Sequence, residues 1–213
     1  AIVVDPEVDL TLLGPLGCGI QTGSGTVLNR LKPVVGESLV VFGCGAVGLS
    51  AIMAAKLTGC SQIIAVDIHD NRLALAGELG ATHQINGKAQ DAVARIKQIT
   101  GKGAHYAVET TGVSAIVLQA VHAVKPLGTV AIVGFTGDIT FNVQNDLMAE
   151  GKSLVGVIEG DAVPALFIPL LVQLYKQGKF PIDKLIQRYP LAEINQAFAD
   201  SASGKVIKPV VVM

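Results

Sequence analysis

Tryptophan is absent from this sequence, and charged residues make up only 15% of it. The formal net charge is −1, and no block of basic residues occurs. A nucleic-acid-binding surface or a basic membrane-binding segment would need such a block. No apolar run approaches the roughly 20 residues that cross a bilayer, and no secretory signal is recognisable. We therefore expect neither nucleic acid nor a membrane among the partners.

Cysteine is also scarce, with Cys18, Cys44 and Cys60 forming an odd set that has no CxxC spacing. This pattern argues against a disulfide framework and favours a reducing, cytoplasmic location. A domain of this size buries roughly 70% of its unfolded surface and needs no disulfide to fold. The sequence begins at Ala1 within what reads as structured sequence, so we expect it to be part of a longer chain.

Half of the residues are hydrophobic, and many apolar runs are continuous rather than alternating. Continuous runs are typical of a parallel sheet that is covered on both faces. Apolar runs and helical segments alternate regularly from Leu39 to Ile158, which predicts right-handed crossovers. The predicted strands are 39–42, 62–66, 83–85, 105–109, 129–133 and 153–158, and the predicted helices between them are 47–58, 71–79, 89–100 and 114–124.

The predicted fold is α/β: a doubly wound Rossmann parallel sheet of six strands, in the order 3-2-1-4-5-6, with helices on both faces. Residues 1–35 stand outside the alternation and are expected to form a short helix at 6–13 and another at 20–31. Residues 36–160 form the sheet domain. Residues 161–213 are expected to add helices at 163–177 and 191–201 and a closing strand at 205–212, as flanking segments of a second domain.

The most informative segment is the glycine turn Gly43-Cys44-Gly45-Ala46-Val47-Gly48 between a strand and a helix. The first glycine permits a tight turn, the second allows close approach of a pyrophosphate, and the third lets helix and strand pack closely. Free N–H groups at the start of the helix favour phosphate. Asp67 follows the third glycine by 19 residues, where it can accept hydrogen bonds from ribose hydroxyls. The alternative is a glycine turn whose ligand has been lost.

Ligands of a doubly wound sheet bind at the carboxyl ends of its strands. Four segments converge there: 43–48 and 67–72 for the pyrophosphate and adenosine, and 110–113 and 133–136 for the nicotinamide. The candidate cofactor-binding residues in these segments are Gly43, Gly45, Ala46, Val47, Gly48, Asp67, Ile68, Arg72, Thr111, Gly112, Val133, Gly134 and Phe135.

The carboxylate of Asp67 predicts NAD rather than NADP, because it would face a 2′-phosphate at a cost of several kcal/mol. Arg72 weakens this preference, since an arginine near that acid can receive the phosphate. Asp67 could alternatively cap the helix 71–79, and the two roles are compatible.

Other reactive side chains have ordinary structural interpretations. Cys18 lies among glycines just before a helix, where it is either an activated thiol or a small packing residue. Cys44 and Cys60 are interpreted as packing residues. Glu109 fits a structural carboxylate better than a catalytic one. The four histidines, His69, His83, His105 and His122, show no metal-ligand spacing.

Seven separated segments together resemble the zinc-type, medium-chain alcohol dehydrogenases, most closely the aryl (benzyl) alcohol dehydrogenase branch. They are GPLGCGIQTGSG, GCGAVG, IIAVD, GATHQIN, VETTG, GKFPIDKLI and EINQAF, in that order. The resemblance covers essentially the whole chain. It implies that Cys18 is a ligand of a catalytic zinc and that Asp67 and Arg72 contact the adenosine ribose. It also implies that Val133, Gly134 and Phe135 form the nicotinamide-binding loop and that Lys208 reaches the pyrophosphate, although Lys208 could instead be a solvated terminal lysine.

The sequence departs from the family in one respect: two further zinc ligands, a cysteine and a histidine, come from an N-terminal lobe that has no counterpart here. A catalytic zinc needs three protein ligands, so Cys18 alone cannot hold it. We expect the chain to be the cofactor-binding region of an enzyme that oxidises a primary, aryl alcohol to an aldehyde by hydride transfer to NAD. The alternatives are an NAD-binding module without turnover, and a zinc-free quinone or enoyl reductase of the same superfamily.

The predicted last strand, from Ser153 to Ile158, is apolar and lies at the sheet edge. Exposed strand edges of this kind favour pairing with another chain. In the family that the sequence resembles, this edge pairs across a two-fold axis, so we expect a homo-oligomer formed through it.

Overall fold

A computed structural model describes residues 2–213 and contains the predicted six-stranded parallel sheet. The strands are β1 Ser38–Phe42, β2 Gln62–Asp67, β3 His83–Asn86, β4 Ala104–Glu109, β5 Val124–Ile132 and β6 Ser153–Gly156. The strand order is β3-β2-β1-β4-β5-β6, which confirms the predicted 3-2-1-4-5-6 topology. The central pairings are in register, with Val40 of β1 opposite Ile64 of β2 on one side and Ala107 of β4 on the other.

Helices cover both faces of this sheet and form two hydrophobic cores with it. The helices are α1 Gly19–Gly25, α2 Ala46–Leu57, α3 Asp70–Leu79, α4 Ala92–Thr100, α5 Ser114–Ala123, α6 Pro164–Lys176 and α7 Ile194–Ala202. One core joins β1 and β2 to α1, α2 and α6 through residues such as Ile20, Ile52 and Leu171. The other core lies on the opposite face, where Ile96 of α4 and Val121 of α5 pack against Val40 and Phe42.

The segment before the sheet differs in detail from the expectation. The predicted helix at 6–13 is replaced by a short 3₁₀ turn, Leu10–Leu12, in which the Asp9 side chain accepts from Thr11 N, and a second 3₁₀ turn follows at Gly14–Gly17. The helix predicted at 20–31 is present, but it is α-helical only as far as Gly25 and continues as a π-helix over Thr26–Leu31.

Two strands of the sheet have bounds that differ from the predicted ones. The strand predicted at 129–133 begins earlier, at Val124, and residues between its two pairing regions bulge out with Leu127 in a left-handed conformation (φ 63°). The strand predicted from Ser153 to Ile158 ends at Gly156; Val157 N still donates to Ile132 O at 3.0 Å, and the chain turns at Glu159–Asp161. β6 is the edge strand, as predicted.

The C-terminal region contains a strand that the sequence analysis missed. β7, Ile186–Pro190, pairs in parallel with β8, Lys208–Val212, and the two form a separate small sheet. The helix predicted at 191–201 begins as a 3₁₀ turn and becomes α7. In residues 2–213, no helix combines the length and the apolar character that crossing a membrane requires.

Candidate functional site

The carboxyl ends of four strands bring the predicted segments together at one edge of the sheet. Backbone hydrogen bonds join each loop to the neighbouring strand: Gly43 N to Val66 O at 2.8 Å, Thr110 N to Phe42 O at 3.0 Å, and Val133 N to Glu109 O at 2.9 Å. These bonds join four segments into one continuous edge at the carboxyl ends of the strands: the glycine turn (43–48), the Asp67 segment (67–72), the threonine loop (110–113) and the Val133 loop (133–136).

The glycine turn has the geometry that the sequence predicts. Gly43 has φ +90°, which L side chains rarely adopt. A Cβ on Gly48 would lie 1.8 Å from Gly43 O, so α2 can approach the turn only with glycine there. A Cβ on Gly45, in contrast, would meet nothing within 4 Å. The space over Gly45 is open, as approach by a pyrophosphate requires.

The N-terminus of α2 faces this open space. Gly45 is the cap residue and has no side chain to bond the first N–H groups. Because the first N–H groups of a helix lack partners within the helix, those at Ala46 and Val47 can bind an anion. The turn and the helix start thus fit a dinucleotide pyrophosphate.

Asp67 is buried at the end of β2 and is anchored by the backbone. One carboxylate oxygen accepts from Cys44 N at 2.6 Å, and the other accepts from Ile68 N at 2.7 Å and from His69 N at 2.9 Å. The helix α3 has His69 at its cap position without a side-chain bond, so Asp67 does not cap it. Asp67 instead fixes the glycine turn to β2, and about one of its four acceptor positions is left for a ligand.

Arg72 and Cys44 lie beside Asp67. Arg72 is half-buried, and its Nη2 would lie 3.0 Å from a Cβ on Gly204. Its Nε is buried and has no hydrogen-bond partner within residues 2–213, so the guanidinium has an unused donor. Burial, with a smaller effect of the Asp67 carboxylate that Arg72 partly opposes, raises the pKa of the Cys44 thiol. Cys44 therefore stays protonated, which agrees with a packing role.

Glu109 is completely buried and orders the threonine loop. Its carboxylate accepts from Thr111 N at 2.7 Å, from Gly112 N at 3.2 Å and from the Thr111 hydroxyl. Thr110 Oγ1 in turn donates to Phe42 O at 2.9 Å and contacts Gly43 O at 3.0 Å. All of these contacts are structural, in line with the structural interpretation of Glu109.

The loop predicted to hold the nicotinamide packs against the threonine loop. A Cβ on Gly112 would lie 2.1 Å from Phe135 O, and one on Gly134 would lie 2.3 Å from Gly112 N. Both glycines are therefore required for the loops to touch. The Phe135 side chain is fully exposed, and Thr136 Oγ1 is buried without a partner in the described chain. This end of the edge has apolar surface and an unused polar group.

Cys18 is exposed at the cap position of α1 and makes no side-chain capping bond. Across residues 2–213, no three His, Cys, Asp or Glu side chains come together as a metal-binding group. The histidines are dispersed: His105 bonds Ser38, His122 bonds Asp146, and His83 bonds Thr82. The residues described do not by themselves fit a zinc ion.

Lys208 begins β8, opposite Ile186. The small sheet is linked to α3 by the bond from Asn71 Nδ2 to Gly204 O at 3.3 Å. The contact of Lys208 with a pyrophosphate stays a prediction, as do the ligand contacts of the other candidate residues.

Glu159 comes two residues after Val157, whose N–H donates to Ile132 O at 3.0 Å beside the loop that begins at Val133. The segment Glu159–Asp161 follows β6 and packs against α1, where Gln21 Nε2 donates to Glu159 Oε2 at 2.8 Å. No local motif marks this contact, since the two residues are 138 positions apart. The only sequence signal is the glycine at 160, which permits the tight approach.

Comparison with known proteins agrees with this architecture. Residues 46–176, more than half of the chain, match the family model described as zinc-binding dehydrogenase. Geraniol dehydrogenase from Castellaniella defragrans is 42% identical over 215 aligned positions, which cover 100% of this chain and 58% of that protein. An alcohol dehydrogenase from Malus domestica is 32% identical and is covered to 57%.

Solved structures also match over nearly the whole chain. Benzyl alcohol dehydrogenase from Acinetobacter calcoaceticus is 52% identical with a TM-score of 0.95, and the match covers 99% of this chain and 59% of that one. An alcohol dehydrogenase zinc-binding domain protein from Burkholderia ambifaria is 52% identical with a TM-score of 0.97, covering 100% of this chain and 58% of that one. The chain thus spans somewhat more than half the length of these relatives. With its Rossmann sheet, glycine turn and terminal acid, it belongs to the zinc-binding dehydrogenase family.

Proposed function

We propose that this chain is the cofactor-binding region of a zinc-dependent alcohol dehydrogenase that oxidises a primary, aryl alcohol to an aldehyde with NAD. The observation that carries the proposal is the glycine turn, open over Gly45 and tied by its Cys44 N–H to the buried carboxylate of Asp67. NAD, when bound, supplies a hydride acceptor at C4 of its nicotinamide ring.

The residues of the chain bind and orient this cofactor. The N–H groups at the start of α2 bind the pyrophosphate, and Asp67 and Ile68 line the adenosine ribose with Arg72 beside them. Thr111, Gly112 and the loop from Val133 to Phe135 form the nicotinamide end. The 2′-phosphate of NADP would face the Asp67 carboxylate, which favours NAD.

Cys18 is proposed to contribute one zinc ligand. A catalytic zinc takes three protein ligands and an open position, and the described residues offer no second and third ligand near Cys18. We propose that the remaining ligands belong to the part of the protein that the relatives have in addition to this span.

The aryl substrate rests on the relatives. The proteins from Acinetobacter calcoaceticus and Castellaniella defragrans are named for benzyl alcohol and geraniol. Both compounds are primary alcohols whose hydroxyl-bearing carbon is next to an unsaturated carbon. This shared chemistry favours a substrate of that class over a short aliphatic alcohol.

The direct test is alcohol oxidation by the full-length protein as it occurs in the cell, compared with its Cys18→Ala variant. We expect benzyl alcohol to be oxidised in the presence of NAD, and the variant to lose both bound zinc and turnover. Normal turnover by protein that lacks zinc, or an unchanged rate in the variant, would contradict the proposal and favour a zinc-free reductase of the same superfamily.

A second candidate function is an NAD-binding module without turnover, which the missing zinc ligands favour for the 213-residue chain alone. The test is alcohol oxidation by this chain with added zinc. Cysteine-dependent turnover would rule out the module interpretation.

We also propose a homo-oligomer formed through the edge strand β6. Leu154 and Val155 are half-buried there, and Ile158 is exposed just beyond the strand. Val155→Lys should shift the assembly to monomers in sedimentation analysis, because a charge at a strand edge blocks pairing. An unchanged assembly would contradict this proposal.

A further inference from the structure

The turn after β6 has a strained backbone. Glu159, Gly160 and Asp161 have φ values of 50°, 69° and 49°, so three successive residues are left-handed and two of them are not glycine. Non-glycine residues rarely adopt this conformation, and it persists only where surrounding contacts hold it. Such residues are concentrated at functional sites, so the contacts that hold this turn merit a functional explanation.

Contacts with α1 and the π-helix hold the turn in place. A Cβ on Gly160 would lie 2.4 Å from Gln21 O, which leaves room for glycine alone. Asn29 Nδ2 donates to Gly160 O at 3.0 Å, and Arg30 pairs with Asp161 at 3.3 Å. The position of Glu159 relative to α1 is therefore fixed.

The Glu159 side chain is fixed as well, by Gln21. The Gln21 amide nitrogen lies 2.8 Å from Glu159 Oε2 and 3.0 Å from Gly17 O, the carbonyl just before Cys18. Gln21 is only 2% exposed, and its Oε1 is buried with no partner in the described part of the chain. The Glu159 carboxylate is exposed, and the unpartnered acceptor beside it makes this place electronegative, which favours a cation or positive ring nearby.

The carboxylate also lies on the edge where the cofactor is proposed to bind. Val157 N donates to Ile132 O at 3.0 Å, so the residues that follow β6 are beside the loop that begins at Val133. Within residues 2–213, no lysine, arginine or histidine forms an ion pair with Glu159. The nearby Asp161, in contrast, is neutralised by Arg30.

We propose that Glu159 determines which oxidation state of the cofactor this site prefers, because its carboxylate, held by Gln21, attracts the positively charged pyridinium ring of the oxidised dinucleotide. The reduced ring is neutral and gains nothing from the carboxylate. This inference rests on the proposed function, in which the Val133 loop holds the nicotinamide.

The expected effect follows from the charge. Replacing a carboxylate near the pyridinium ring by a neutral amide removes one attractive charge. In a site that solvent partly screens, this loss weakens NAD⁺ binding about three- to tenfold. Glu159→Gln retains an oxygen that accepts from Gln21 Nε2, so the change removes charge and keeps the hydrogen bond. Asp161→Asn is the matched control, since it removes a carboxylate two residues away that Arg30 already neutralises.

The test is calorimetric titration of the full-length protein and both variants with NAD⁺, NADH and ADP-ribose, which lacks the nicotinamide. For Glu159→Gln we expect NAD⁺ to bind about three- to tenfold more weakly, while NADH and ADP-ribose change by less than about twofold. Asp161→Asn should leave the ratio of the NAD⁺ and NADH affinities unchanged. Melting temperatures of the variants confirm that each is folded.

Three results would overturn the inference. An unchanged NAD⁺-to-NADH ratio in Glu159→Gln would show that the carboxylate does not act on the ring. An equal shift in Asp161→Asn would assign the effect to general surface charge. If the unmodified protein binds none of the three ligands, the proposed function fails and this inference fails with it, whereas normal binding with an unchanged ratio overturns the inference alone.

Discussion

The two halves of the candidate cofactor edge differ in how completely the described residues build them. In the adenosine half, Asp67 accepts three backbone N–H groups and joins the glycine turn to β2. In the nicotinamide half, Cys18 and Phe135 are exposed, and Gln21 Oε1 and Thr136 Oγ1 are buried without partners in residues 2–213.

This difference shows which part of the proposed function the chain can perform alone. Buried polar groups normally have hydrogen-bond partners. In the adenosine half Arg72 Nε lacks one among residues 2–213, but the Asp67 carboxylate is held by three backbone N–H groups, so this carboxylate and the glycine turn are preformed for binding. The nicotinamide half retains unsatisfied groups and exposed surface that a ligand or a further part of the protein would cover. We therefore expect this chain to bind the adenosine part of a cofactor by itself, and turnover to require the further part of the protein.

The largest expected effect comes from Gly48→Ala in the adenosine half. The new Cβ would lie 1.8 Å from Gly43 O, so α2 must move away from the glycine turn. Backbone shifts of this kind cost about 1–3 kcal/mol and occasionally more, and NADH affinity should fall with the distortion. Chemical denaturation and calorimetric titration measure the two effects.

Gly45→Ala is the matched control for this substitution. Its Cβ meets nothing within 4 Å, so the variant should keep the stability of the original chain while losing NADH affinity, because the methyl group occupies the space proposed for the pyrophosphate. Full affinity in this variant would contradict the placement of the cofactor.

Asp67→Asn should have the next largest effect. The amide can accept with only one atom, so it leaves Cys44 N or the Ile68 and His69 N–H groups facing an NH₂ donor. A buried group that loses its partner costs about 1–3 kcal/mol, measurable as a lower denaturation midpoint. The ratio of the NADH affinity to the NADPH affinity should also decrease. A variant with unchanged stability and an unchanged affinity ratio would refute both roles of Asp67.

A smaller effect is expected at the amino ends of β1 and β4, opposite the candidate cofactor edge, where His105 bonds Ser38. Burial, assisted by Lys125, lowers the pKa of His105 below its ordinary value of 6.5. The unfolded chain therefore binds this proton more readily, and stability should decrease as the pH falls below about 6.5. His105→Gln should reduce this pH dependence in thermal melts without changing NADH affinity. A change in affinity would mean that the two edges are coupled.

The smallest effect on the isolated chain is expected from Cys18→Ala in the nicotinamide half. The thiol is exposed and makes no capping bond, so the melting temperature and the NADH affinity of the 213-residue chain should not change. A clear loss of either would show that Cys18 supports the fold rather than a metal.

Much of the sheet could be predicted because local patterns determine it. Leu39, Val40 and Val41 form a continuous apolar run, and all three are fully buried in the central strand. The glycine turn and Asp67 were identifiable because their spacing follows directly from one strand–helix–strand unit.

The missed features depend on contacts between distant parts of the chain. β7 is short, ends in Pro190, and exists because it pairs with β8, about 20 residues later. The side chain of Glu159 is held by Gln21, 138 positions away. The left-handed turn at Glu159, three residues after the end of β6, is likewise indicated by no pattern of hydrophobic residues.

The most direct test of the account is calorimetric titration of the 213-residue chain with NADH and, in parallel, with NADPH. We predict saturable NADH binding and NADPH binding weaker by at least about tenfold, because a 2′-phosphate would face the Asp67 carboxylate. Failure to bind NADH by a chain that still unfolds cooperatively, or equal affinity for the two cofactors, would contradict the assignment of the glycine turn and Asp67 as a preformed NAD site.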